Sequence, residues 1–233
     1  MNFLNNYRIR ATLRSLADWR PPAACLGCGA ACRDGLCIGC LDDLPALPCP
    51  CCAICAMPVP AGSVCGRCLA APPAFAATHA RFAYAGWLAQ AIQAAKFGGR
   101  WHAFALLGRH LARALPAPCV DWVIPVPLAA PRLRERGFNQ AQELAATLAR
   151  AWRLPLRHDA LLRLRDGAHQ ARSSRAARAR NVRGAFAAPR PLDGTVLLVD
   201  DVMTSGASLH ACARALREAG ARRVECCVLA RTL

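Results

Sequence analysis

The chain has one lysine, Lys96, and few aromatic side chains, 6% of its 233 residues. Acids are scarce as well, 14 against 30 lysines and arginines, which leaves a formal charge of +16. That balance points to phosphate-bearing partners. The shortage of rings argues against a surface that stacks successive bases. No run of about 18 apolar residues occurs, so no membrane span is expected. The opening MNFLNNYRIRATLRSLADW lacks the continuous apolar stretch of a secretory signal, and a cytoplasmic location is expected. Residues 1–22 read as a leading helix. Its Leu4, Leu13 and Leu16 can line one side, with Arg8, Arg10 and Arg14 nearby, so peripheral contact with a membrane or partner is a second reading.

Cysteine, in contrast, is abundant: eleven of fifteen lie between Cys25 and Cys68. They form four CxxC turns, Cys25 with Cys28, Cys37 with Cys40, Cys52 with Cys55 and Cys65 with Cys68. One such turn presents two thiolates to a metal, and a second completes the tetrahedral shell that zinc prefers. Two zinc sites are therefore expected over a module at 23–70. Thiolate fills every coordination position, which makes the sites structural. Pairing consecutive turns is simplest, although the spacing also allows outer turns to join outer and inner to join inner. Cys32, Cys49 and Cys51 are left over, and Cys49 forms a competing CxxC with Cys52. A disulfide framework is the alternative, and it fits poorly without a secretory signal.

Beyond a Pro72-Pro73 linker, the rest of the chain, 76–233, alternates apolar strands with amphipathic helices. This pattern reads as an α/β domain with a parallel sheet. Strands are expected from His79, over Asp121 to Val126, Thr195 to Val199 and Val224 to Leu229. Helices are expected over Gly86 to Ala95, Trp101 to Leu115, Asn139 to Trp152 and Leu209 to Ala219. The central stretch is VLLVDDVMTSGAS, from Val196 to Ser208. Four apolar residues form a buried strand, Asp200 and Asp201 stand where it should end, and small or hydroxylated residues lead into a helix. A loop of that kind gathers backbone N–H groups at a positive helix end and suits a phosphate.

This stretch resembles the signature of type I phosphoribosyltransferases: four apolar residues, two acids, two variable positions, then T(S/T)G. The resemblance implies that Asp200 and Asp201 hold the ribose hydroxyls of phosphoribosyl pyrophosphate (PRPP). Thr204, Ser205, Gly206, Ala207 and Ser208 would hold its 5′-phosphate. The loop after the first core strand, with Pro127, Arg132, Arg134 and Arg136, would hold pyrophosphate. Magnesium would bridge pyrophosphate and hydroxyl oxygens, bound mostly by substrate and water. Lys96, the single lysine among so many arginines, marks a position with a specific task and joins the candidate PRPP-binding residues.

The order of segments resembles one family over nearly the whole chain. The CxxC module, YAGWLAQAIQAAKFGGR, IPVPLAAPRLRERGFNQAQELA, HQARSSRAARARNVRGAF and VLLVDDVMTSGASL follow the order of ComF-type proteins. These are phosphoribosyltransferase-like proteins associated with competence for DNA uptake. The resemblance implies a double zinc ribbon joined to a type I phosphoribosyltransferase fold. Gln170, Arg178 and Asn181 match the family pattern, and Arg178 becomes a candidate catalytic residue in a segment that closes over PRPP. Ser173 departs from the usual leucine. Residues 163–190 carry eight arginines and one acid. This stretch also supports a different class of function, a non-catalytic factor that binds single-stranded DNA alongside competence or recombination proteins. Two loaded zinc sites would still leave about +12. No residue identifies an acceptor.

Overall fold

The chain divides between Asp43 and Leu44 into two units. The computed structural model describes residues 23–164 and 184–233. The leading helix expected over 1–22 and the stretch 165–183, with Gln170, Ser173, Arg178 and Asn181, lie outside the described residues.

In the first unit, strands β1 (Ala23–Ala24) and β2 (Ala31–Cys32) pair antiparallel. The amide of Cys25 donates to Ala30 at 2.7 Å, closing the CxxC turn. The second CxxC begins at Cys37, which caps the short helix α1 (Ile38–Asp42).

The second unit repeats this arrangement in its own ribbon, where Cys65 caps α2 (Gly66–Ala70). The chain then continues as β3 (Ala77–Ala83), α3 (Gly86–Phe97), α4 (His102–Ala114) and β4 (Trp122–Pro125). After β4 come α5 (Ala130–Arg136) and α6 (Gln140–Trp152). A small antiparallel pair, β5 (Leu162–Arg163) and β6 (Phe186–Ala187), precedes β7 (Thr195–Met203), α7 (Ala207–Glu218) and β8 (Arg223–Arg231).

Four strands form one parallel sheet in the order β3-β8-β7-β4. Val196, Leu197, Leu198 and Val199 of β7 are wholly buried, as a strand covered on both faces requires. On one side of the sheet α4 packs on α6. Gly108 permits their approach: a Cβ there would stand 3.0 Å from Leu144 Cδ1 and 3.2 Å from Thr147 Cβ. The Asn139 side chain fixes the start of α6, accepting from the Ala141 amide at 3.0 Å and donating to the Val126 carbonyl at 3.1 Å. The second ribbon joins this core, because Cys52, Cys55, Val59 and Cys68 pack in one cluster with Ile124, Leu198 and Val228.

Two elements differ from the sequence reading. Arg132, Arg134 and Arg136 stand on a helix rather than a loop, since Pro131 starts α5 and Gly137, with φ +75°, ends it. The central strand also continues past Val199 through both acids. Its register with β8 runs on through Asp200↔Val228 and Met203↔Arg231, whereas pairing with β4 stops at Pro125↔Val199. The strand therefore ends on one side only. The acids occupy the edge from which the proline-rich segment departs.

Candidate functional site

Successive residues of a strand point to opposite faces, and the two acids follow that rule. Asp201 is 8% exposed. Its Oδ2 lies 2.5 Å from the ammonium Nζ of Lys96, in the last turn of α3. The single lysine is thus brought to the second acid. Asp200, half-buried, faces α7: beyond the effect of burial, its carboxylate is what raises the Cys212 thiol most. Its own Oδ1 accepts from the Asp201 amide at 2.9 Å. Burial first, then the neighbouring Asp201 carboxylate, pushes Asp200 from 3.8 up to about 8. Near neutral pH the pair therefore carries less than its full charge.

Beyond the acids the strand ends at Met203, and the chain turns through 204–206 into α7. Gly206, with φ +79°, is the residue before its first turn. That left-handed conformation aims the next amides, of Ala207 and Ser208, into the helix start, where intrahelical acceptors are missing. Ser205 Oγ accepts from the Ala207 amide at 3.4 Å. Thr204 is exposed; Ser205, Ala207 and Ser208 are half-buried. The result is a short turn of backbone amides of the kind that suits an anion, beside two carboxylates at the C-terminal end of a parallel strand, where α/β sheets place their ligands.

The basic residues are grouped less tightly. The Arg136 guanidinium lies over the Phe97 ring, 5.5 Å from its centroid, which brings the end of α5 beside the end of α3 and Lys96. Phe97 is 73% exposed. Pro127 and Arg132 are half-buried and Arg134 is exposed. Arg178 lies outside the described residues. A cavity of about 410 Å³ opens between α7 and the second ribbon, lined among others by Cys68, Phe75, Ser205, Gly206 and His210. Neither acid lines it.

The sequence reading missed Arg231. Only 1% exposed, it is the largest fully buried side chain among the described residues. Its Nε donates to the Cys55 carbonyl at 2.9 Å, and its Nη1 donates to the carbonyls of Met203 at 2.8 Å, Thr204 at 2.6 Å and Thr232 at 2.6 Å. The available signal was a lone arginine closing the apolar run VECCVLAR. The expected strand stopped two residues short of it.

The cysteines fall into two groups of four, Cys25, Cys28, Cys37 and Cys40, then Cys52, Cys55, Cys65 and Cys68. Within each group all Sγ atoms lie within 4.8 Å of one another. Consecutive turns are therefore the ones brought together. Sulfur separations of 3.7 Å for Cys25 to Cys37 and 3.6 Å for Cys55 to Cys65 match the edge of a tetrahedron, about 3.8 Å, around an ion with bonds of about 2.3 Å. Amides assist: Cys37 donates to Cys25 Sγ and Cys65 to Cys52 Sγ, each at 3.3 Å. Burial raises Cys25 and Cys52, yet backbone donors outweigh it and bring both down to about 6. Cys40 and Cys68 are driven up by burial and by neighbouring thiols. A divalent cation at the centre removes that conflict, so zinc fits both groups. All fifteen cysteines are free thiols. Cys32, Cys49 and Cys51 belong to neither group.

Comparison with known proteins agrees with this arrangement. A family model for the phosphoribosyl transferase domain matches residues 134–233. The DNA utilization protein YhgH of Shigella flexneri is 34% identical over 177 residues, covering 72% of this chain and 78% of that protein. Competence protein F of Haemophilus influenzae is 28% identical over 211 residues, covering 85% and 91%. Competence protein ComFC of Bacillus subtilis is 35% identical over 99 residues, covering 42% and 39%.

Proposed function

As this chain belongs to the ComF family, we propose that its acid pair and the loop behind it bind PRPP for transfer of its phosphoribosyl group, in a role linked to DNA uptake. The observation that carries this reading is the juxtaposition at the end of β7. There a carboxylate held by Lys96, a second carboxylate kept partly protonated, and a glycine-started helix end lie within nine residues of one chain segment.

The chemistry is a division of labour along that segment. Amides of 205–208 and the Ser205 and Ser208 hydroxyls receive the 5′-phosphate at the positive end of α7. Asp200 and Asp201 accept hydrogen bonds from the ribose hydroxyls, and fix the ring so that C1 faces the departing pyrophosphate. Arg132 and Arg136 on α5, with the backbone after Pro127, stabilise the charge that grows on the leaving group. Lys96 pairs with Asp201 and orients it. The hard carboxylate oxygens suit magnesium, which when bound with PRPP would neutralise its pyrophosphate charge. Both cysteine groups would hold structural zinc.

The test is calorimetric titration of PRPP with magnesium into the wild-type protein and into Asp200→Asn/Asp201→Asn. Micromolar binding that vanishes in the double variant supports the reading. A folded, zinc-loaded wild type that binds no PRPP refutes it.

A second reading, binding of single-stranded DNA, draws on the +16 charge and on the two exposed rings beside arginines, Phe97 at 73% and Trp101 at 52%. It requires an affinity that falls steeply with salt and weakens when arginines between 172 and 183 become alanine. Unchanged affinity in those variants would assign DNA to another surface.

A further inference from the structure

We propose that Arg231 is a positioning residue that makes the 203–208 loop respond to the metal in the second cysteine group. The proposal takes that loop as the sugar-phosphate site described above. Arg231 spans two structures far apart in sequence. Its Nε holds the carbonyl of Cys55, one of the four clustered thiols, while Nη1 holds the carbonyls of Met203 and Thr204. These carbonyls belong to the peptide planes at the entrance of the loop, and their tilt sets where the following amides point.

Three physical features make this a coupling rather than a coincidence of packing. The guanidinium is planar and rigid, so a displacement at one donor is transmitted to the others. The side chain is buried, where water cannot replace a lost acceptor at low cost. A zinc ion with four thiolates carries net charge −2, and the Cys55 residue that helps hold it contacts the Arg231 cation directly through its carbonyl. Loss of the metal frees the Cys52-Cys55 turn. The fork then loses its anchor on the ribbon side, and the loop carbonyls are no longer held in one orientation.

The experiment uses the full chain and three variants: Arg231→Lys, which keeps the charge and loses the fork, Cys65→Ser, which removes a ligand without altering Cys55, and their combination. Zinc content, PRPP titration with magnesium, and amide hydrogen exchange over 203–208 and 196–199 are measured on each. Arg231→Lys is expected to retain two zinc ions yet bind PRPP about tenfold more weakly. Its loop amides should exchange faster while the 196–199 amides are unaltered. Cys65→Ser should lose one zinc ion and show the same loop behaviour. The combined variant should be no worse than the poorer single variant, since the two act through one link. Wild-type PRPP affinity and wild-type loop exchange in Arg231→Lys would overturn the proposal, as would strictly additive losses. If the wild type binds no PRPP, the sugar-phosphate reading fails on its own, and the loop-exchange comparison still decides the coupling. If Cys65→Ser does not fold, loop exchange in the wild type and in Arg231→Lys before and after zinc is chelated decides it: wild-type exchange that does not change on chelation overturns the proposal.

Discussion

Lys96 Nζ stands 2.5 Å from Asp201 Oδ2, and the two side chains are only 17% and 11% exposed. A carboxylate this deeply placed needs a cation, because desolvation without one is costly. Lys96→Met should therefore destabilise the protein by about 3 kcal/mol, a fall in Tm of roughly 6–12 °C for a chain of this size. Adding Asp201→Asn removes the orphaned charge and should recover at least half of that loss. Thermal unfolding of the four proteins completes the cycle. A Lys96→Met variant that unfolds with the wild type would show that the pair contributes little.

Asp200 makes stability depend on pH. Its pKa rises from 3.8 to about 8 on folding, so the native state holds a proton that the unfolded chain releases. The resulting stabilisation is complete below about pH 4 and is lost as pH rises through about 8. Asn in its place keeps the acceptor for the Asp201 amide and has nothing to titrate. Asp200→Asn should match the wild type at about pH 4 and below, and exceed it by on the order of 5 kcal/mol near about pH 9. Denaturant unfolding at the two pH values measures this, and parallel curves would mean that Asp200 is already ionised.

The two cysteine groups allow a test of pairing by metal counting. With consecutive turns joined, as the sulfur positions show, Cys25 and Cys68 belong to different groups. Cys25→Ser/Cys68→Ser should then lose both zinc ions. Were outer turns joined to outer, both substitutions would fall in one site and one zinc would remain. Metal analysis after removal of loosely bound ions distinguishes these outcomes.

Much of this site was legible because its signals are local. The VLLV run, the two acids and the TSG turn announce a strand, a charge pair and a helix start from neighbouring residues alone. The CxxC spacing does the same for metal. What was not legible depends on contacts across the fold. The partner of Lys96, which stands on a helix, lies over a hundred residues away on the central strand. The departure of β4 at Pro125, which places both acids on a half-open edge, depends on register between strands. Arg231 fell outside the expected strand, which ended at Leu229, because nothing local indicates that its acceptors are Cys55, Met203 and Thr204. The short α5 was read as a loop for a related reason: seven residues with none buried give no apolar periodicity to detect.

Gly206 provides the most direct test of the anion cradle. Its φ of +79° strains any residue with a Cβ, and a Cβ there would also stand 2.8 Å from Met203 Cε. The two costs differ in kind. Met203 Cε is the far end of a flexible side chain and can swing aside, whereas the left-handed backbone costs about 1–2 kcal/mol wherever Met203 goes. Gly206→Ala should therefore relax toward ordinary helical angles and turn the Ala207 and Ser208 amides away from their common point. PRPP affinity should fall more than about tenfold, while the Tm drops by only about 2–8 °C. Adding Met203→Ala removes the clash and leaves the backbone cost, so it should not restore binding. If it does, the cradle was blocked by crowding, and the left-handed turn is not what aims its amides.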